Sequence, residues 1–172
     1  NDISKIVHYA QLLEPSQPLI IFGPSGIGKS TIMAKVIEQS EQLAAKVIYR
    51  FCGISKETSN TRSLWISILA ELGLEISIPA INQTENNLLS IEKKEDTFEY
   101  EVYDALYNLK EKVIFYIDAL DQLDDKSKCD WLPSSLPANV KIVISVLNDS
   151  NYKDDCYYFN KLQERISNFQ EI

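Results

Sequence analysis

The sequence predicts a three-layer α/β/α domain around a mainly parallel, five-stranded sheet. Three observations carry that expectation. Strand-like and helix-like runs alternate along the chain, the order that successive βαβ units produce. The strand-like runs are apolar almost without interruption, as in PLIIF (18–22), VIFYI (113–117) and VKIVISVL (140–147), which suits strands covered by helices on both faces. A loop containing Gly23, Gly26 and Gly28 joins the first strand to the helix that follows it.

Taken in order, residues 3–13 (ISKIVHYAQLL) place Ile3, Ile6, Val7, Ala10 and Leu13 at helical spacing. Pro15 and Pro18 then break the pattern before the first strand at 18–22. Residues 29–43 read as a helix with Ile32, Val36 and Leu43 on one side, and 46–52 (KVIYRFC) as a strand ended by Gly53. An apolar helix follows at 63–72, stopped at Gly73. Residues 74–97 are the least regular part, with Pro79, several Asn and a charged EKKED run expected to be solvated surface. Helical spacing resumes from Thr97 to Glu111 through Phe98, Val102, Leu106 and Leu109. The third strand is 113–117, and the fourth, 140–147, comes after a WLPSSLP turn. The tail at 152–168 reads as a half-polar helix, and Ile166 to Ile172 as the approach to a fifth strand. Ligands are then expected at the carboxyl ends of the strands. Residues 1–17 form an N-terminal helix and lead-in, and 18–172 the core domain.

The bulk numbers narrow the partners. A chain of 172 residues with 45% apolar and 24% charged positions fits one globular domain. Its formal charge of −8 argues against a broad grip on a nucleic-acid backbone, so no direct nucleic-acid binding is expected. One nucleotide, which needs only a local pocket, is not excluded. Cys52, Cys129 and Cys156 lack zinc spacing and a disulfide-framework pattern, which implies buried or free thiols in a reducing compartment. No apolar run reaches the roughly 18 residues of a membrane span, and no secretory signal opens the chain. Residue 1 is not Met, so a piece of a longer, cytoplasmic protein is expected, with no membrane partner.

The loop GPSGIGKST (23–31) fits G-x-x-x-x-G-K-[ST] in the strand–loop–helix context that motif requires. Glycines let consecutive backbone N–H groups turn inward around an anion, and the helix start adds partial positive charge. The candidate nucleotide-binding residues are therefore Gly23, Pro24, Ser25, Gly26, Ile27, Gly28, Lys29, Ser30 and Thr31. Lys29 can reach the β- and γ-phosphates, and the Ser30 hydroxyl can ligate Mg²⁺. Thr31 is placed to support the helix start or touch the α-phosphate. The spacing is not G-x-G-x-x-G, and Ile27 spoils a G-x-S-x-G elbow.

A magnesium carboxylate is expected at the end of a neighbouring buried strand, and Asp118 is the first polar residue after VIFYI. An apolar run ending in Asp is common by itself; the phosphate loop is what gives this one meaning. Asp121, three residues on, stands where a base could orient water toward the γ-phosphate. Asp124 and Asp125 are expected to be surface or capping residues, and the cluster lacks the order of a calcium loop.

With these parts in place the chain resembles a family. GPSGIGKST (23–31), RFCGISKETSNTRSL (50–64), YIDALDQL (116–123) and LPANVKIVIS (136–145) are together similar to NACHT-type modules of the STAND class of P-loop ATPases. The subgroup it resembles occurs in telomerase-associated, nephrocystin-like and NACHT–WD-repeat proteins. The resemblance covers about 18–148, and the pairing of FCG with IDALDQL is its more specific part. It implies a three-layer P-loop NTPase core that holds ADP at rest, exchanges it for ATP on a trigger, and oligomerises to activate attached domains. It implies that Asp118 is the Mg²⁺ residue, that Asp121 is the second acidic position, and that Ser145 ends a sensor strand. It further implies that the segment before the phosphate loop walls the adenine, and that another core strand, a helical domain and a winged helix continue the module. His8, the only histidine, is read as an ordinary residue.

Two departures bear on turnover. Many NACHT modules carry an acid where this chain has Gln122, and many related switches carry an Arg near the end of the sensor strand, where SVLND (145–149) stands. Both point to weak or conditional ATP hydrolysis with Asp121 and Lys29 as catalytic residues, and Gln122→Glu is expected to speed it. Two other functions compete. GPSGIGKST also resembles a guanylate-kinase loop, with SNTR (59–62) as a faint substrate segment, but no Arg-rich lid accompanies it. The other is a non-hydrolysing nucleotide-binding scaffold. ATP is preferred to GTP because no N-K-x-D guanine signature follows the last strand.

Overall fold

The structure is a computed structural model that describes residues 2–74, 88–149 and 156–172, with the backbone alone between 88 and 97. Five strands form one sheet: β1 (Leu19–Gly23), β2 (Lys46–Phe51), β3 (Val113–Asp118), β4 (Val140–Leu147) and β5 (Phe169–Glu171). Their order is β2-β3-β4-β1-β5, and every described pairing is parallel. The helices are α1 (Asp2–Gln11), α2 (Lys29–Ser40), α3 (Thr61–Glu71), α4 (Leu88–Asn108) and α5 (Tyr157–Gln163).

The uninterrupted apolar runs are explained by two cores, one on each face of the sheet. Ile48, Phe115, Ile117, Ile142 and Ile144 point toward α3, α4 and α5, where Leu64, Trp65, Ile68, Val102, Leu106 and Leu162 meet them. Their neighbours Leu19, Ile21, Ile114, Tyr116 and Val143 point the other way, onto Ile6, Ala10, Met33 and Val36 of α1 and α2. Alternate residues of β3 and β4 thus feed different cores, which is why a period of two is invisible in their sequence. Tyr116 brings a polar group into the second core, where its hydroxyl meets that of Ser40 at 2.6 Å.

Element boundaries depart from the periodicity for local reasons. The second helix ends at Ser40 rather than 43, because Ser40 turns inward to Tyr116 and the N–H of Leu43 donates to its carbonyl (2.9 Å). The third starts at Thr61, two residues early, because the Asn60 side chain accepts the N–H of Ser63 (2.9 Å). The fourth starts at Leu88 rather than 97 and takes in the EKKED run. The tail helix is the short α5; its expected first residues, up to 155, lie outside the described residues. After it the chain reaches β5 at the sheet edge, beside β1.

The lead-in runs across the amino end of the sheet. Ser16 forms a bridge with Leu136, and the buried Lys141 donates to the carbonyls of Glu14 (2.8 Å) and Ala138 (3.2 Å). Residues 12–17 are therefore at the end opposite the phosphate loop. What reaches toward the loop end is the first turn of α1, through Gln170 donating to Asp2 (3.1 Å). His8 is exposed. All three cysteines are buried and outside any disulfide, and burial pushes the thiols of Cys52 and Cys129 up to about 12. Among the described residues no helix is long and apolar enough to cross a membrane.

Candidate functional site

The register places the candidate residues at one end of the sheet. β4 lies between β1 and β3, with Gly23 opposite Leu147 on one side and Ile117 opposite Ile144 on the other. The loop that leaves β1 and the carboxylate that ends β3 therefore flank the last residues of β4.

The loop from Pro24 to Ile27 is exposed. Gly26 (φ +77°) and Gly28 (φ +105°) adopt the left-handed conformation that an L side chain resists. A Cβ at either would meet nothing within 4 Å, so it is backbone conformation and not crowding that calls for glycine there. Gly23 serves a different purpose: its missing Cβ admits the carbonyl of Ile172, which such an atom would approach to 3.1 Å. Gly28 caps α2, and Lys29 is its first residue. The Lys29 ammonium donates to the carbonyls of Gly23 and Pro24, both at 2.8 Å. Burial holds it below the ordinary lysine range, opposed by the charges of Asp121, Asp118 and Asp149. Ser30 and Thr31 are exposed on the first turn of α2.

The acidic corner is built from long-range contacts. Asp118 is buried, with 3% of its surface exposed, and the Ser145 hydroxyl donates to its Oδ1. The same hydroxyl accepts the N–H of Ala119 at 2.8 Å. Ala119 sits at φ +59°, a left-handed conformation costly to a residue with a Cβ, and its turn opens a single 3₁₀ turn at Leu120–Gln122. That turn returns Asp121 to β4, where its Oδ1 accepts the N–H of Leu147 (2.8 Å). Its Oδ2 accepts the side-chain amide of Gln122 (2.8 Å). Ser145 does not end its strand: β4 continues two residues, because Val146 and Leu147 still pair with Phe22 and Gly23.

The FCG segment belongs to this corner. Cys52 donates its N–H to the carbonyl of Asp118 (3.0 Å), and Asp124 donates to Ser59 (2.7 Å). Asp125 takes the capping role expected of it, both carboxylate oxygens accepting the N–H of Thr61 at the start of α3 (3.1 and 3.0 Å). Nothing in the linear sequence shows that the two motifs touch; their recurrence together was the only sign. The SNTR segment is spent on structure: Asn60 caps α3, and the Arg62 guanidinium lies over the Phe98 ring, 5.1 Å from its centre.

Comparison with known proteins agrees with this geometry. The family described as "Nephrocystin 3, N-terminal" matches residues 4–151. The chain belongs to that family. It is 28% identical over 134 residues to human NACHT domain- and WD repeat-containing protein 1, covering 74% of this chain and 8% of that protein. It is 27% identical over 140 residues to human nephrocystin-3, covering 77% of the chain and 10% of that protein. The chain thus spans about a tenth or less of these relatives. A Methanocaldococcus jannaschii protein described as an uncharacterized ATP-binding protein is 24% identical over 188 residues, covering 95% of this chain and 54% of that one. Among solved structures, the Aeropyrum pernix ORC2 protein superposes with a TM-score of 0.52 at 16% identity, over 99% of this chain and 44% of that one. The expected α/β P-loop fold and the resemblance to NACHT-type modules are both borne out.

Proposed function

We propose that this chain is the ATP/ADP-binding switch core of a larger signalling protein, which hydrolyses ATP slowly with Mg²⁺ and so controls self-association and the domains attached to it. The observation that carries this reading is the convergence of the phosphate loop and the acidic corner on the end of β4, with Lys29 in the field of Asp121, Asp118 and Asp149.

The residues suit a magnesium nucleotide. The exposed loop runs straight into the start of α2, and backbone N–H groups at a helix N-terminus favour phosphates. Among the described residues no three His, Cys, Asp or Glu converge as a metal cage. Mg²⁺ in nucleotide sites uses only one or two protein oxygens beside phosphates and water, and Ser30 and Asp118 supply that set. When bound, Mg²⁺ neutralises charge on the phosphate oxygens. Ser145 holds Asp118 in one orientation through Oδ1. Lys29 would exchange the carbonyls of Gly23 and Pro24 for phosphate oxygens. Asp121, fixed from two sides, would orient the attacking water and receive its proton. The relatives named for NACHT and WD-repeat domains, of which this chain matches a small part, support a switch within a longer protein, and the ATP-binding relative supports the nucleotide.

Calorimetry tests the core of the reading. Wild-type protein should bind Mg-ATP and Mg-ADP, and Lys29→Ala should lose at least about 100-fold in affinity, the scale of a buried charge-assisted contact. Unchanged affinity in Lys29→Ala sinks the proposal.

A further inference from the structure

The structure assigns Gln122 the role of positioning residue for Asp121, reversing what its place in the motif suggests. This rests on the reading that Asp121 serves ATP hydrolysis. The Gln122 amide donates to Asp121 Oδ2 at 2.8 Å while the Leu147 N–H donates to Oδ1 at 2.8 Å. The carboxylate is thereby held between two donors, one from β4 and one from its own turn. The orientation of the amide follows from chemistry, because its flipped form would set a carbonyl oxygen against a carboxylate.

Gln122 is exposed, yet its backbone is fixed. Its N–H donates to the carbonyl of Ala119 (2.9 Å), closing the turn. Behind it stands Gly53, at φ +76° and with its own N–H bonded to the carbonyl of Thr58 (2.8 Å). A Cβ at Gly53 would come within 2.9 Å of the Gln122 Cβ and 3.0 Å of its carbonyl oxygen. The FCG segment is thus the wall on which Gln122 rests, which gives a physical reason for FCG and DALDQ to occur together.

A glutamate at 122 would put a second carboxylate where the amide now donates. Two carboxylates about 3 Å apart do not both ionise freely. The added acid would therefore repel Asp121 or share a proton with it, and the carboxylate that orients water would lose its setting. Misplacement of this kind affects turnover far more than binding.

The test is steady-state ATP hydrolysis and Mg-ADP affinity in wild type, Gln122→Met and Gln122→Glu, with Leu147 amide exchange followed by NMR. Thermal unfolding confirms that each variant is folded. Affinity should stay within about twofold, because Gln122 lies outside the phosphate loop. The rate constant should fall about fivefold in Gln122→Met, the worth of one hydrogen bond. It should fall further, about 20-fold, in Gln122→Glu, where repulsion is added. The Leu147 amide should exchange faster in both variants. A Glu variant as fast as wild type or faster overturns the proposal, as does an unchanged Leu147 amide. If wild type binds nucleotide but shows no turnover, or does not bind at all, it is the functional reading that has failed. The Leu147 amide then decides the positioning role alone.

Discussion

The phosphate loop and the acidic corner share one end of the sheet and are made in opposite ways. The loop is contiguous: Lys29 reaches carbonyls only five and six residues back, and Pro24 to Ile27 face solvent. The corner is assembled across the fold. Ser145 meets Asp118 over a separation of 27 residues, Leu147 meets Asp121 over 26, and Asp125 meets Thr61 over 64. Changes in the loop should therefore act on binding with little cost to stability. Changes in the corner should cost stability and turnover together.

A large stability effect that would break this contrast is at Ser145. Ser145→Ala removes the donor to a buried carboxylate and the acceptor of the Ala119 N–H. It should cost about 2–3 kcal/mol, a drop in Tm of about 5–10 °C for a chain of this size. Lys29→Ala should leave Tm nearly unchanged while abolishing affinity; an equal drop in both variants would erase the distinction.

A matched pair of glycines sharpens it. Gly26 and Gly53 have nearly the same φ, +77° and +76°, but a Cβ meets nothing at the first and the Gln122 turn at the second. Gly26→Ala should cost about 1 kcal/mol in backbone strain alone. Gly53→Ala should cost about 1–3 kcal/mol more, from overpacking. Denaturant unfolding of the two variants separates the terms, and equal losses would show that Gln122 moves aside freely. At the small end stands Lys161→Ala, which breaks a surface ion pair with Glu164 at 2.7 Å. It should leave Tm unchanged within error, serving as the baseline for the others.

Legibility in the sequence follows the same division. The four longer strands and the phosphate loop could be read because each is specified by neighbouring residues. The early start of α4 could not, because the EKKED run has no apolar period to show a helix. Gln122 read as a missing acid because spacing alone does not show the turn that aims its amide at the neighbouring Asp121, nor the distant Gly53 behind it. Ser145 was placed on the right strand, but its hold on Asp118 depends on the register of β3 against β4.

What the sequence determined by itself was the alternation of buried strands with helices and an anion-binding loop at a helix start. Both arise from contiguous residues, through apolar runs and through glycines at positions of positive φ. What only the tertiary structure decided was the acidic corner: which oxygen of Asp121 each donor takes, what Ser145 holds, and why a glycine stands at 53. Strand order and register bring those groups together from distant parts of the chain, and no local propensity carries that information.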